Sequence, residues 1–263
     1  MPGQFLGEVY RTEQGTFCVD PRDQFISASI KGDGEYGTVE INNLKAMLPR
    51  DASVLLIGAH IGTLAIPLSK WVANLAAIEA NPDTFRLLEM NLMLNQCGNV
   101  AAFNYAANNT TGVLEFVMNT ENSGGSKRKP VHYDPSFFSD DPKIVQVKAM
   151  ALDELFPHAK FHLIFMDIEG SEVFAMQGMP NLLRETSIVV TEFAPNHLIK
   201  VSDVGVKEFL APLEGFDTLV IPTKRQKASR DQFAEALEEM VTLNESDAGI
   251  IFLKNQSGIE ISF

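Results

Sequence analysis

The hydrophobic residues of this chain collect into short continuous runs separated by segments of helical period. Val54–Ile57, Leu75–Ile78, Val100–Tyr105, Phe161–Met166, Ser187–Val190, Thr218–Ile221 and Gly249–Leu253 are largely apolar without alternation, as expected of strands buried on both faces. Between them, apolar residues recur three and four apart. This holds after Gly62, from Pro82 through Phe85, Leu88, Leu92 and Met93, and over Ser171–Arg184, Val204–Leu213 and Gln232–Met240. Strand and helix alternate through at least five units. That predicts an α/β fold, doubly wound, with a mostly parallel sheet of seven strands and helices on both faces.

The remaining segments are less regular. Thr16–Val19 and Gln24–Ile30 read as strands or a hairpin, and Val39–Leu48 as a helix ending at Pro49. These elements suggest an N-terminal β/α extension, residues 1–50, packed on a core domain of residues 51–263. Gly112–Met118 alternates like an additional strand, Ile144–Lys148 reads as a strand, and Leu152–Phe156 as a short helical turn. Thr120–Lys143 is rich in Asn, Ser, Gly, Pro and charge and long for a connection, which predicts a lid.

The most informative unit is Val54–Glu79, reading strand, glycine turn, helix, strand, acid. Such a unit binds an adenosine-containing cofactor at the carboxyl end of the sheet. A dinucleotide turn needs a middle glycine, so that backbone can approach a pyrophosphate. Here the turn is Gly58-Ala59-His60-Ile61-Gly62, with His60 in that place. The bulky residue argues against a cradled pyrophosphate and fits a ligand without phosphate, such as S-adenosylmethionine. Glu79 lies where a strand-end carboxylate accepts ribose hydroxyls, with Ala80 beside it. Asn104, after the next strand, is placed for an adenine contact. Asp167, Glu169 and Glu192 converge on the same rim, followed by His197, whose imidazole suits a base near neutral pH. Glu169 and Glu172 also flank a helix start, where acids are favoured by the dipole alone. The acids are oxygen donors of the kind that suit Mg²⁺ or Ca²⁺. No dedicated ligand spacing is present, so no metal is expected.

Bulk properties narrow the classes. The 263 residues carry a formal net charge of −13, which disfavours nucleic acid and anionic membranes as partners. The basic run Lys127-Arg128-Lys129 reads as solvated loop, or as an attractor for an anionic substrate. Two cysteines far apart give no disulfide framework or zinc spacing. With no signal-like start and no membrane-spanning apolar run, the reading is cytoplasmic.

Taken together, Val54–Gly62, Ile78-Glu79-Ala80-Asn81-Pro82, Leu87–Asn95 with Asn91 and Asn95, Leu152-Asp153 and the block Asp167-Ile168-Glu169-Gly170-Ser171-Glu172 resemble the FkbM family of S-adenosylmethionine-dependent methyltransferases. The resemblance implies a class I methyltransferase (Rossmann-like) fold and O-methylation of a hydroxyl or carboxylate on a small-molecule methyl acceptor, such as a natural product or sugar. It leaves the oligomeric state open, a homodimer included. Cofactor contacts would come from Gly58, Ala59, His60, Gly62, Glu79, Ala80, Asn104 and Asp167. Asp167, Glu169, Glu192 and His197 would serve the chemistry. Two positions depart from the family pattern. Leu56 stands where an Asp is usual and His60 where an Asn is usual. The Asp would help hold the cofactor's amino-acid end, and Asp167 or Glu35 is positioned to compensate. Leu56 also raises a non-catalytic cofactor-binding or partner protein as an alternative. An NAD-dependent oxidoreductase is the more distant one, weakened by His60 and by the absence of a Tyr-x-x-x-Lys pair.

Overall fold

The computed structural model describes residues 6–255, so residues 1–5 and 256–263 of the expected extension and core domain lie outside the described residues. Its main sheet has eight strands: β1 (Ser53–Ile57), β2 (Asn74–Ile78), β3 (Val100–Phe103), β4 (Leu163–Met166), β5 (Ile188–Phe193), β6 (Thr218–Ile221), β7 (Gln226–Ser229) and β8 (Asp247–Leu253). Their spatial order is β7-β6-β8-β5-β4-β1-β2-β3. The five strands from β5 to β3 are parallel, whereas β8, β6 and β7 pair antiparallel. This is the doubly wound, mostly parallel sheet that the alternation of strands and helices predicts. The strand beyond the expected seven is β7, a polar hairpin partner at the sheet edge with no apolar run to announce it.

Each central strand serves two cores. Leu55, Ile57, Ile164 and Met166 face one apolar cluster, with residues of the helices Glu172–Gln177, Val206–Leu210 and Phe233–Leu243. Val54, Leu56, Leu163 and Phe165 face the other, with Ile30 of α1 (Ile26–Gly32), Leu44 of α2 (Thr38–Met47), Ile66 of α3 (Ala65–Ser69) and Leu88 of α4 (Pro82–Leu94). Burial on both faces is why these strands lack alternation.

Three expectations need correction. Gln24–Ile30 is not a strand, because Asp23 Oδ1 accepts the backbone N–H groups of Phe25 and Ser27, each at 3.0 Å, and starts α1. Ile26 and Ile30 then point inward one turn apart. The helix expected over Ser171–Arg184 is two short helices, Glu172–Gln177 and Pro180–Glu185. They break at Gly178, where a Cβ would stand 1.9 Å from the Asn108 carbonyl oxygen. The segment Thr120–Lys143 is not a structureless loop. Its Lys127–Arg128 pairs with Val117 and Phe116, within a second sheet that also contains Ala106–Ala107, Gly112–Met118 and Lys143–Met150.

Two asparagines tie the N-terminal strands to the core. The buried Asn91 accepts the Cys18 N–H and donates to the carbonyls of Cys18 and Ile61. Asn95 does the same for both backbone groups of Thr16. Among the described residues, no helix is long and apolar enough to cross a membrane.

Candidate functional site

Strand order reverses between β1 and β4, and at that switch point the carboxyl ends of the strands open a cavity of about 440 Å³. Gly58, Ala59, His60, Glu79, Ala80, Asp167 and Glu169 line it. Gly58 has φ +87°, and a Cβ there would stand 1.9 Å from the Asp167 carbonyl oxygen, so β1 and β4 can approach only at a glycine. His60 is left-handed at φ +49°, a conformation in which Asn and His are enriched. The same backbone requirement accounts for either residue at this position. Gly62 lies behind the turn against Leu88.

Glu79 holds the turn. Its Oε2 accepts the His60 N–H and its Oε1 the Asn81 N–H, each at 2.8 Å, leaving further lone pairs for a ligand. Burial raises its pKa to about 7 against the lowering effect of those backbone donors. Ser123, from the second sheet's loop, accepts from His60 Nε2 at 2.8 Å and donates to the buried Asp23. Desolvation lowers the His60 pKa to about 4, against the pull of Asp23, so the ring is neutral near pH 7. Ser123 has one hydrogen and gives it to Asp23, which assigns the ring hydrogen to Nε2 and leaves Nδ1 a lone pair without a partner among the described residues.

Acids dominate the opposite end. Asp167 is accessible to solvent through the cavity although protein packs around it. That packing, then the charges of Glu192, Glu169, Glu172 and Glu40, raises its pKa well above the carboxylate range. Glu169 is left-handed at φ +57° and points back to the ammonium of Lys127, at 2.8 Å. Lys127 is buried and lies 4.5 Å from the Phe137 ring centre. His197 Nε2 stands 3.4 Å from Glu169, and Nδ1 stands 3.5 Å from Glu192. One oxygen each of Asp167, Glu169 and Glu192 lies within 4.8 Å of the others. Glu172 instead caps its own turn, accepting the Ile168 and Gly170 N–H groups, and burial raises it to about 8.

Several expected positions differ. Glu35 does not reach the cavity; it sits in the turn between α1 and α2, where Thr38 donates to it. Asn104 is no cavity residue, because its amide donates to the Glu79 and Ala80 carbonyls; Tyr105 and Ala106 line the cavity instead. Glu192 and His197 stand behind Glu169 rather than on the wall. Lys127 is not solvated, and Arg128 lines the cavity, stacked 4.1 Å from Phe174 and donating to Asn108. Glu40 also lines it and carries no sequence signal beyond a polar position on an apolar-spaced helix.

The carboxyls of Glu40, Glu79 and Glu172 are raised to about 7, 7 and 8, with desolvation the leading cause in each. Raised folded-state values mean that their stabilising contribution is complete below the unfolded carboxylate range and is lost as pH climbs through 7–8. The melting temperature of the ligand-free protein is therefore expected to fall between pH 5 and pH 8. A flat or rising profile in calorimetry would contradict this.

A family model described as the methyltransferase FkbM domain matches residues 57–239, well over half of the chain. The chain belongs to the FkbM methyltransferase family. Membership brings S-adenosylmethionine as cofactor. The cavity fits that group: a glycine-bounded turn, a carboxylate ending β2 and an acid-rich end suit a nucleoside with a cationic tail. Hexuronic acid methyltransferase AglP of Haloferax volcanii is 29% identical over 139 residues, 52% of this chain and 53% of that protein. This chain thus spans about half the length of the curated relative it matches. Among solved structures, a methyltransferase FkbM from Methylobacillus flagellatus KT is 15% identical, covering 77% of this chain and 43% of that one at a TM-score of 0.44. A TehB-like methyltransferase from Corynebacterium glutamicum is 13% identical, covering 87% and 94% at 0.45.

Proposed function

We propose that this FkbM-family protein methylates an oxygen, hydroxyl or carboxylate, of a small-molecule acceptor, with an oxidised sugar as the leading class. The observation that carries the reading is the single cavity joining the glycine turn, Glu79 and the accessible Asp167. The hexuronic acid methyltransferase likeness supports the acceptor class. When bound, S-adenosylmethionine supplies a methyl group on a sulfonium, an already activated leaving group.

What remains for the protein is positioning and the exclusion of water. Glu79 takes the ribose hydroxyls, while Gly58 and Ala59 let backbone pass close to the sugar and tail. Asp167 faces the acceptor. With a hydroxyl acceptor it orients the O–H and receives the proton released as the methyl–oxygen bond forms and the methyl–sulfur bond breaks. A carboxylate acceptor brings no proton, and Asp167 then only helps to position it. Lys127 and His197 hold Glu169 in place from behind. Arg128, on the wall and without a carboxylate partner among the described residues, offers a donor fork to the ligand.

S-adenosylhomocysteine at 100 times its dissociation constant is expected to stabilise the fold by about 2.7 kcal/mol. For a chain of this size that is a melting shift of roughly 5 °C or more. NAD should give none. A shift with NAD and none with S-adenosylhomocysteine would remove the methyltransferase reading.

A further inference from the structure

The acids on the cavity wall and just behind it differ in what they already hold. Glu79 and Glu172 each accept two backbone N–H groups, Glu169 is paired with Lys127, and Glu192 lies beside His197. Glu40 and Asp167 also line the cavity, and neither side chain has a hydrogen bond or ion pair among the described residues. Asp167 feels the charge of Glu40, and Tyr36, on the same wall, feels both. Glu40 is desolvated with nothing to compensate it. A carboxylate kept in such a place is costly unless a ligand cation meets it.

The direction of the cavity indicates which cation. At its β3 end Ala106, Leu114 and Phe116 give an apolar wall, with Arg128 beside Phe116. Glu79 marks β2, Gly58 marks β1, and Asp167 marks β4. Glu40 lies further along the same rim, close to Gly249 on β8. A nucleoside with its ribose on Glu79 and its base on the apolar end must extend its tail toward Asp167 and Glu40. Leu56, turned into the core beneath the turn, offers that tail no charge.

We propose that Glu40, on the N-terminal helix α2, receives the α-ammonium group of the cofactor's amino-acid tail. The assignment rests on the methyltransferase reading. It gives each acid of the cavity a separate role, with Glu79 for the ribose, Glu40 for the ammonium, and Asp167 free for the acceptor. Glu40 binds the cofactor here and takes no part in proton transfer.

Two ligands separate this from a general effect on the fold. S-adenosylhomocysteine carries the α-ammonium and a neutral thioether, so it reports the ammonium contact without the sulfonium. 5′-Methylthioadenosine lacks the amino-acid tail altogether. In calorimetric titrations, Glu40→Gln is expected to weaken S-adenosylhomocysteine binding about tenfold or more, the scale of a lost charge-assisted hydrogen bond. Its affinity for 5′-methylthioadenosine should match the wild type. Equal S-adenosylhomocysteine affinity in wild type and variant overturns the proposal. So does an equal loss for both ligands, which would mean that Glu40 supports the cavity's shape. Wild-type protein that binds neither nucleoside would overturn the methyltransferase reading itself, and the assignment with it.

Discussion

Asp167→Asn is expected to lower methyl transfer at least about 100-fold on a hydroxyl acceptor, the usual scale for a lost proton acceptor. The substitution keeps the side chain's size and most of its hydrogen-bonding capacity, so the cavity should retain its shape. Stability should move the other way. In the folded protein, packing and four neighbouring carboxylates raise the Asp167 pKa well above its ordinary value. A group raised in this sense stabilises most below the carboxylate range and loses that contribution as pH rises through its folded pKa. Asparagine has no such proton to lose. The melting temperature of the variant should therefore come closest to the wild type below about pH 4, under the ordinary aspartate pKa, and exceed it increasingly as pH rises above that value. Normal turnover would place the proton acceptor elsewhere on the rim. A variant that melts lower at pH 8 would show that the carboxylate is structurally held.

Leu56→Asp carries the largest expected loss of stability. At first sight it restores the acid usual in the family. In the structure, Leu56 is 1% exposed and packs in the core cluster with Phe165 and Val190. An aspartate there loses the leucine's burial and introduces a charge with no partner in that cluster. Loss of a buried leucine alone costs about 2–5 kcal/mol, and an unpaired buried charge adds to it. Unfolding in urea should show a drop of more than about 3 kcal/mol, with little folded protein at 37 °C. A well-folded variant with tighter S-adenosylhomocysteine binding would show that the position can turn toward the cavity.

What could be read from the sequence follows from where the information is local. The unit Val54–Glu79 announces itself because strand burial, a left-handed turn and a strand-end acid all fall within one stretch of chain. Asp167 is legible for the same reason, as a charge directly after a buried strand. Glu40 is not, because only the packing of α2 across the mouth of the cavity brings it to the rim. Lys127 misleads because a basic triplet looks solvated, whereas its first member is buried and paired with an acid brought in from a distant part of the chain. Lys127 goes inward to Glu169, and Lys129 goes outward to Glu115. Asn104 fails differently. Its position after β3 is right, but its amide is used by the backbone of the neighbouring strand end. Local pattern thus identifies the strands and their ends, while long-range contacts decide which polar groups remain available to a ligand.

The asparagine ties between α4 and the first strands bear on how this protein can be shortened. A fragment trimmed to the family match, from residue 57, would lack nearly all of β1 and the partners of Asn91 and Asn95 on Cys18 and Thr16. It would also lose α1 and α2, uncovering Phe165 and Val190 to water, and with them Asp23 and Glu40. Such a fragment should aggregate when expressed rather than behave as a weakened enzyme. Screening panels and chimeras built from this scaffold therefore need the residues ahead of the glycine turn.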